Sequence, residues 1–272
     1  MITQKIFADR PSRVETMTGL TSDQVDRLVL DVYAAGDLDP SGRRAVGPYR
    51  SVLVVLLYLR HNLSQALIAE LFGCSQPTVS RLIGRLMPTI TTVLTPNAER
   101  VATNHLRSTV RVDGFIAPTG DRRVGTYKSG MYSGKRHRCG FNLQVIGSCF
   151  GTLTLTGKPQ PGSMHDAKAW HESGLAARLE GHLHADGGPG GYGDTAYTGT
   201  GLCVPDRKPK GQTLTESARD YNRMIASQRA SVERVIAHLK NWRLLATGYR
   251  GLLDRFPTFL DAITKLEVYR TS

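Results

Sequence analysis

The segment 109–118 constrains the fold more than any other part of the chain, because an acidic residue interrupts a pattern typical of a β-strand. Its apolar positions recur with period two and would form a face that packs on a core: Val110, Val112, Gly114 and Ile116. Asp113 falls on the opposite face with Arg111 and Phe115, although aspartate is depleted in strands. A carboxylate buried alone would cost several kcal/mol. Two interpretations of Asp113 therefore stay open here: a pair with an arginine such as Arg111 or Arg123, or a bound cation.

Two further alternating segments, 141–146 and 152–156, follow and are joined through Phe150-Gly151. The alternation predicts an antiparallel hairpin, which would form a three-stranded meander with the Asp113 strand. Residues 127–138, before the hairpin, are basic, aromatic and glycine-containing. Such a segment is typical of a solvated loop, although in a basic protein it can also follow a phosphate backbone.

The next part of the chain combines a predicted helix with a glycine-rich passage. The helix would begin near Ser163 and carry the apolar residues Trp170, Leu175, Leu179 and Leu183. Asp166 stands three residues after Ser163, at the position of a capping-box acid, so helix capping is its leading explanation. Residues 187–193 include five glycines and one proline, a composition typical of a flexible loop, and Asp194 follows directly.

A long helix is predicted from about Glu216 to Trp242. Its buried stripe consists of Val232, Val235, Ile236 and Leu239. Arg229, Glu233 and Lys240 lie within about 40° of one another on a neighbouring face, because an α-helix turns about 100° per residue. An ordinary surface ion pair also accounts for Arg229 and Glu233, and it would contribute about 0.3 to 0.5 kcal/mol. A packing helix from Phe256 to Val268 closes the chain.

The amino-terminal third of the sequence is helical in pattern. Thr21 and Gln24 have the spacing of a capping box. The helix that they open carries a buried stripe of Val25, Leu28, Val29 and Val32. Residues 36–48 are rich in Gly, Pro and Asp and predict a loop, and 49–60 predict a strongly apolar helix at the centre of a small helical domain.

Residues 64–86 carry the pattern of a helix-turn-helix. Ser64 can cap the first helix, and Gly73 can adopt the positive φ that ends it. Ala69 allows the two helices to approach closely, and Val79 would pack between them. The side chains expected to face inward from the first helix are Leu67, Ile68 and Leu71.

The second helix of such a unit enters the major groove of DNA with its early residues towards the base edges. Its polar residues are therefore the candidates for contact with bases and phosphates: Gln76, Thr78, Ser80, Arg81 and Arg85. The chain has 35 Lys and Arg against 23 Asp and Glu, a formal charge of +12, which favours a polyanionic partner. A helical hairpin with merely solvated polar residues is the alternative.

Composition disfavours several other classes of protein. The longest apolar run, 52–59, is far shorter than the ~20 residues that span a bilayer, and residues 1–6 lack the pattern of a signal peptide. The four cysteines show no paired C-x-x-C spacing, so neither a zinc site nor a disulfide framework is indicated. We therefore expect a cytoplasmic, nucleoid-associated protein without a membrane partner.

In their order along the chain, these features resemble the DDE transposases of insertion sequences, in the branch related to Harbinger-like nucleases. The resemblance covers nearly the whole chain. Besides the helix-turn-helix, it rests on V-D-G at 112–114, Y-S-G-K at 132–135, G-F-N-L-Q at 140–144, P-G-S-M-H-D at 161–166, D-x-A-Y at 194–197 and R-x3-E-x6-K at 229–240. The last motif departs from the family in one respect, since Ala226 stands where a tyrosine is usual.

The resemblance implies an α/β fold, in which an RNase H-like mixed sheet flanked by helices follows a small all-α helix-turn-helix domain. The expected domains are a helical DNA-binding domain at 1–95, with the helix-turn-helix at about 64–87, and an RNase H-like DDE catalytic domain at 105–272.

The resemblance also assigns roles to individual residues. The catalytic and metal-binding triad would be Asp113 on the central strand, Asp194 at the end of a later strand and Glu233 on a helix. Arg229 and Lys240 would hold phosphates of the transposon end. His165 and Asp166 match a recurring His-Asp pair and are expected to be accessory residues rather than metal ligands.

The activity implied is that of a transposase that binds terminal inverted repeats, cleaves the strand and transfers it. Two Mg²⁺ ions, for which Mn²⁺ can substitute, would bind the three carboxylates, because Mg²⁺ prefers oxygen ligands. The partners would be double-stranded DNA, as transposon ends and target, and a second copy of the chain in a homodimer. Two alternatives stay open: a DNA-binding repressor or domesticated relic without cleavage activity, and a nuclease without strand transfer.

Overall fold

The computed structural model describes residues 11–38, 46–120 and 130–272. The chain forms two compact units, which we call the helical unit and the sheet unit. The helical unit comprises Met1–Ala98, Lys240–Thr247 and Thr258–Ser272. The sheet unit comprises Glu99–Leu239 and Gly248–Pro257. Most of the segment 240–272 thus belongs to the helical unit. The division into a DNA-binding domain at 1–95 and a catalytic domain at 105–272 stays a proposal.

Among the described residues up to 72, the helical unit contains four helices, which are α1 (Pro11–Thr18), α2 (Ser22–Ala34), α3 (Pro48–His61) and α4 (Gln65–Phe72). The capping box at the start of α2 is confirmed, since Thr21 Oγ1 accepts from Gln24 N–H and the Gln24 side chain accepts from Thr21 N–H. Helix α3 is buried along most of its length, as its apolar sequence predicts. Of the loop predicted at 36–48, residues 39–45 lie outside the described residues.

The helix-turn-helix consists of α4 and the start of α5 (Gln76–His105). Ser64 Oγ accepts from Leu67 N–H at 3.2 Å, and Gly73 has φ +64°, as the sequence predicts. Ala69 and Val79 are buried, which is also as expected. The inward position predicted for Leu67 is wrong, because this side chain is 47% exposed and Phe72 is buried instead.

Helix α5 is much longer than the helix-turn-helix pattern suggests. It runs through Pro88 and Pro96 to His105, a stretch whose sequence resembles a connector. Proline inside a helix costs about 3 kcal/mol, because it lacks a donor and its ring clashes with the preceding turn. A stripe of buried side chains at helical spacing offsets that cost: Val79, Leu82, Ile83, Leu86, Met87, Ile90 and Leu94. Burial of this stripe keeps the helix continuous.

The sheet unit contains a six-stranded mixed sheet. Its strands are β1 (Val110–Pro118), β2 (Tyr132–Ser133), β3 (Arg138–Gly147), β4 (Leu153–Thr156), β5 (Gln160–Pro161) and β6 (Gly191–Tyr192). The main order is β2-β3-β1-β6, and β4 and β5 also pair with β3. The predicted meander is confirmed, because β1 pairs antiparallel with β3 and β3 pairs antiparallel with β4.

Helices cover both faces of this sheet. Helices α6 (Asp166–Glu172) and α7 (Leu175–Arg178) pack on one face, and α8 (Glu216–Lys240) packs on the other. The last helix, α9 (Phe256–Arg270), belongs mostly to the helical unit. The single helix predicted from Ser163 is in fact two, because Gly174 has φ +83° and interrupts it. One face of β1 packs in a cluster with Trp170, Leu175 and Leu179. The sequence-based view that only one face is buried is incomplete, since Arg111 and Phe115 on the other face are buried too.

The glycine-rich passage before Asp194 is not simply a flexible loop. Gly191 and Tyr192 form β6, which pairs in parallel with β1. A Cβ atom at Gly191 would lie 2.8 Å from Leu202 Cδ2 and 3.1 Å from Val110 Cγ2. The strand therefore needs glycine because its backbone lies directly against neighbouring side chains. The predicted fold class, an α/β mixed sheet flanked by helices and preceded by a helical region, is confirmed.

Among the described residues, no helix combines the length and the apolar character needed to cross a membrane.

Candidate active site

Asp113 lies on β1 with its side chain 20% exposed. One carboxylate oxygen, Oδ1, accepts from Gly114 N–H at 2.7 Å, and the other, Oδ2, lies 3.5 Å from Arg229 Nη2 on α8. Arg111, which the sequence offered as a partner, instead donates from Nε to the Gln228 carbonyl at 3.2 Å. The other arginine considered, Arg123, lies outside the described residues.

Asp194 comes two residues after β6, beside Asp113. Val110 pairs with Gly191 and Arg111 pairs with Tyr192, so Asp113 and Asp194 each lie two residues beyond the last paired positions of the two strands. Its Oδ1 accepts from Ala196 N–H at 2.8 Å and caps the short 3-10 turn Thr195–Tyr197. The backbone of this turn therefore sets the direction of the carboxylate.

Burial is the largest influence on the pKa of Asp113 and raises it above its ordinary value. The hydrogen bond from Gly114 and the charge of Arg229 lower this pKa, whereas the negative charges of Asp194 and Asp166 raise it. The net direction is upward. Three carboxylates therefore lie close enough for their charges to repel, which is an arrangement that a cation relieves.

Asp166 does not serve as the capping-box acid that its spacing suggests. Helix α6 begins after His165, whose Nδ1 accepts from Ala167 N–H at 3.4 Å. Asp166 Oδ1 instead accepts from Asn142 Nδ2 at 2.9 Å and from Gln144 Nε2 at 3.4 Å. Its carboxylate is thus directed towards the sheet by two amides of β3.

The two amides of β3 were missed in the sequence. Asn142 and Gln144 alternate with apolar residues, a pattern typical of a strand with one solvated face, yet they are 3% and 0% exposed. The available signal was their place in the G-F-N-L-Q motif. Polar residues at such positions need partners, and these partners turn out to be Asp166 and Tyr197.

Glu233 lies on α8 one turn after Arg229, and its side chain is exposed. In the described part of the chain, Glu233 shares no hydrogen bond with Asp113 or Asp194. Arg229 contacts Asp113, and its Nε is buried without a hydrogen-bond partner. Lys240 is exposed at the last residue of α8. An ion pair and neighbouring charges thus connect Asp113 with Arg229, Asp194 and Asp166, and Glu233 lies one helical turn from Arg229.

The donors at this centre suit a hard divalent cation such as Mg²⁺. Carboxylate oxygens are the ligands that such ions prefer, and Asp113 and Asp194 each bind a backbone amide through Oδ1. Among the described residues, no backbone N–H donates to the Oδ2 atom of either aspartate. Across residues 11–38, 46–120 and 130–272, no group of three or more His, Cys, Asp or Glu side chains is arranged so that it could hold a metal ion.

A polar cleft opens next to Asp166. The end of β2 and the turn that leads to β3 contribute Ser133, Lys135 and Arg136 to its wall. Ser163 and His165 also line the cleft. Gly114 and Asp166 line it as well. The cleft therefore borders the three carboxylates of Asp113, Asp166 and Asp194, which we call the acid group or acid centre. The part of 127–138 that the structure describes, 130–138, therefore borders a cleft and is not only a solvated loop.

The candidate DNA contacts of the helix-turn-helix lie on the first turns of α5. Gln76, Ser80 and Arg81 are exposed, whereas Thr78 and Arg85 are half-buried. Ser75 Oγ accepts from Thr78 N–H at 3.4 Å and so caps the helix. The Nε of Arg85 is buried without a hydrogen-bond partner. The exposed members of this set can contact a partner without rearrangement of the helix.

Carboxylates clustered at one edge of a mixed sheet, together with a helix-turn-helix in a basic chain, are typical of a class of DNA-binding nucleases. Comparison with known proteins gives the family. Residues 112–267 match the model of the DDE superfamily endonucleases, and residues 47–96 match the helix-turn-helix of DDE superfamily endonucleases.

A putative transposase for insertion sequence element IS112 from Streptomyces albus G is 33% identical over 245 residues, which is 88% of each chain. No solved structure matches the chain significantly. The chain therefore belongs to the DDE superfamily of transposases and endonucleases, and the resemblance to a DDE transposase of an insertion sequence, with a helix-turn-helix for DNA binding, is confirmed.

Proposed function

We propose that this protein is a metal-dependent transposase that binds the terminal inverted repeats of its element, cleaves the DNA strand and transfers the new end to target DNA. The observation that carries the proposal is the position of Asp113 and Asp194. Asp113 and Asp194 each lie two residues beyond the last paired positions of two parallel strands, and each holds one oxygen on a backbone amide. Their mutual repulsion favours a cation between them.

Asp113, Asp194 and Glu233 would hold the metal ions, as the family resemblance implies. Two Mg²⁺ ions, or Mn²⁺ in their place, supply activation of the attacking oxygen and stabilisation of the leaving oxygen when bound. Arg229 now lies against Asp113 as its counter-ion, and it can turn to a phosphate of the transposon end when Asp113 binds a cation. Glu233 is one turn further along the same helix and faces solvent, so it can be recruited by a rotamer change.

The cleft beside Asp166 gives the DNA strand a place next to the carboxylates. Lys135 and Arg136 on its wall can pair with backbone phosphates. Lys240, at the end of α8, would extend these phosphate contacts. The helix-turn-helix would select the inverted repeat through Gln76, Thr78, Ser80, Arg81 and Arg85. Two ends must be joined, so we propose a homodimer on DNA.

Cleavage of an end-containing duplex tests the catalytic assignment. Asp113→Asn, Asp194→Asn and Glu233→Gln should each lower the rate of strand cleavage at least about 1000-fold with Mg²⁺. DNA affinity should not fall. Each substitution leaves the helix-turn-helix intact and removes a negative charge that repels DNA phosphates. Cutting at the parental rate by any one of the three would exclude that residue from the triad.

The products of the same assay separate the alternatives. A joined product between the cleaved end and a target plasmid supports strand transfer, whereas hydrolysis alone identifies a nuclease without transfer. Binding without any Mg²⁺-dependent cut indicates a repressor or relic. Arg81→Ala should weaken binding about tenfold and reduce the dependence of affinity on salt. Arg27→Ala, on the exposed surface of α2, is the matched control and should leave affinity unchanged.

A further inference from the structure

A chain of buried side-chain hydrogen bonds lies beneath the acid group, on the face of the sheet that α6 covers. Tyr197 Oη donates to Gln144 Oε1. Gln144 Nε2 donates to Asn142 Oδ1 at 2.9 Å and to Asp166 Oδ1 at 3.4 Å. Asn142 Nδ2 donates to Asp166 Oδ1 and to the Met164 carbonyl, both at 2.9 Å. This chain of hydrogen bonds thus runs from Tyr197 of the D-x-A-Y motif to Asp166 of the His-Asp pair.

Every donor of the two amides is used, which sets the direction of each hydrogen bond. Gln144 uses both of its N–H groups on Asn142 and Asp166, so the amide oxygen is the atom that faces Tyr197. Because an amide oxygen can only accept, Tyr197 must supply the hydrogen. Burial, and then the charges of Asp166, Asp113 and Asp194, raise the pKa of Tyr197 well above its ordinary value. The hydroxyl therefore stays protonated and acts as a donor throughout the neutral pH range.

The chain of hydrogen bonds also explains the glycine that follows Asp113. Gly114 pairs with Gln144 across β1 and β3. A Cβ atom at Gly114 would lie 2.6 Å from Gln144 Nε2 and 3.2 Å from Asp166 Oδ1. Any larger residue would displace the amide and the carboxylate, so the glycine of V-D-G leaves space for this network.

The network reaches Asp194 through one rigid turn. Asp194 caps the 3-10 turn at its start, and Tyr197 ends the same turn with its N–H donating to the Asp194 carbonyl at 3.1 Å. The ring of Tyr197 is fully buried and packs edge-on against Trp170 at 6.2 Å between centroids. Its hydroxyl is anchored on Gln144. A turn held at its end in this way holds the carboxylate at its start.

We propose that Gln144 and Tyr197 are positioning residues of the acid centre: their hydrogen bond fixes the turn that carries Asp194, and the same Gln144 amide donates to the carboxylate of Asp166. This inference rests on the proposed function, because it assumes that Asp194 binds a metal ion. Neither Gln144 nor Tyr197 touches the substrate or the metal. Both act through the carboxylates, as groups that orient metal ligands do in other metalloenzymes.

The test uses the full-length protein and Mn²⁺ as the probe. Tyr197→Phe removes only the hydroxyl and keeps the ring against Trp170. We expect it to weaken Mn²⁺ binding to the DNA-free protein, measured by electron paramagnetic resonance, about 10-fold. The Mn²⁺ concentration that half-saturates DNA cleavage should rise by the same factor, while KM for DNA stays unchanged.

Two further variants separate positioning from a general loss of packing. Gln144→Met removes the amide at similar volume and should weaken Mn²⁺ binding at least as much as Tyr197→Phe, because the amide also bonds Asp166. The double variant should be no worse than Gln144→Met alone, because the hydroxyl acts only through the amide. Tyr249→Phe is the control. Tyr249 is also buried, and its hydroxyl donates to the Leu252 carbonyl at 3.0 Å, but we expect Mn²⁺ affinity to stay at the parental value.

The outcomes distinguish this inference from the proposed function. Parental Mn²⁺ affinity in Tyr197→Phe, an equal loss in Tyr249→Phe, or additive losses in the double variant would each overturn the positioning role. Parental protein that binds Mn²⁺ without cutting DNA would overturn the proposed function alone, and the affinities of the variants would still decide the positioning role. Parental protein that binds no Mn²⁺ at all would overturn both.

Discussion

Buried carboxylates occur in both units of the molecule, and they are treated in opposite ways. In the helical unit, Glu267 is 1% exposed and both of its oxygens are bonded. Oε2 accepts from Trp242 Nε1 at 2.9 Å and from Arg270 Nε at 3.0 Å, and Oε1 accepts from Arg270 Nη2 at 2.7 Å. Such a carboxylate is a structural part of its core.

In the sheet unit, Asp113 and Asp194 each bind a backbone amide with one oxygen. The second oxygen of Asp113 meets Arg229 only at 3.5 Å, and the neighbouring negative charges add to the penalty of burial. The difference shows that burial alone does not mark a functional acid. A carboxylate that is held in place by one oxygen and left incompletely paired is prepared for a ligand.

The largest effect on stability should come from breaking the structural carboxylate. Glu267→Gln removes the charge that Arg270 pairs with, and we expect the free energy of unfolding to fall by about 2 to 4 kcal/mol. The value lies towards the low end because Arg270 keeps contact with water. Urea denaturation followed by circular dichroism measures it.

The control for this substitution lies on the same helix. Asp261 pairs with Lys265 at 2.9 Å, but its side chain is 50% exposed. Asp261→Asn should therefore cost no more than about 0.5 kcal/mol. Equal losses for the two variants would remove the distinction between a structural carboxylate and a surface one.

Addition of metal should stabilise the acid centre and leave Glu267 unaffected. A cation that binds only the folded state raises the free energy of unfolding by about 2.7 kcal/mol at 100 times its Kd. Thermal denaturation with Mg²⁺ or Mn²⁺, compared with EDTA, measures this gain. Asp113→Asn should lose the gain and Glu267→Gln should keep it. A gain that survives Asp113→Asn would place the cation elsewhere.

A smaller effect is expected from Asp113→Asn in the absence of metal. The pKa of Asp113 is raised in the folded state, so the folded protein favours the protonated form, and stability is lost as the pH rises through that pKa. At pH 7 the ionised carboxylate therefore opposes folding, and the neutral amide should raise the free energy of unfolding by up to about 1 kcal/mol. A clear decrease in stability would show that Asp113 is a structural residue like Glu267.

A small effect on stability is also expected from Arg229→Gln. Its contact with Asp113 is long and both side chains are 20% exposed, so the expected loss is below about 1 kcal/mol. If Arg229 serves DNA instead, affinity for duplex DNA should fall and its slope against salt should decrease by about 1. Fluorescence anisotropy over a series of salt concentrations measures the slope. A large loss of stability with an unchanged slope would make Arg229 a structural counter-ion.

Much of the local structure follows directly from the sequence. The capping box at Thr21, the cap at Ser64 and the positive φ of Gly73 depend on neighbours within a few residues, and all three are present. The period-two patterns around Asp113 and at 141–146 likewise predict β1 and its antiparallel partner β3. The proximity of Asp113 and Asp194 could be anticipated only from the family resemblance, since they stand 81 positions apart along the chain.

Contacts between distant segments decided the rest. Burial of an apolar stripe carries α5 through two prolines, and close packing of Gly191 against Val110 turns a loop-like passage into β6. Asp166 has the spacing of a helix cap, yet Asn142 and Gln144 bind it because they are buried and need acceptors. The sequence by itself determined the caps of the amino-terminal helices, the three strands of the meander and the family. The tertiary structure decided which polar groups are enclosed, because the partners that satisfy a buried group come from other parts of the chain.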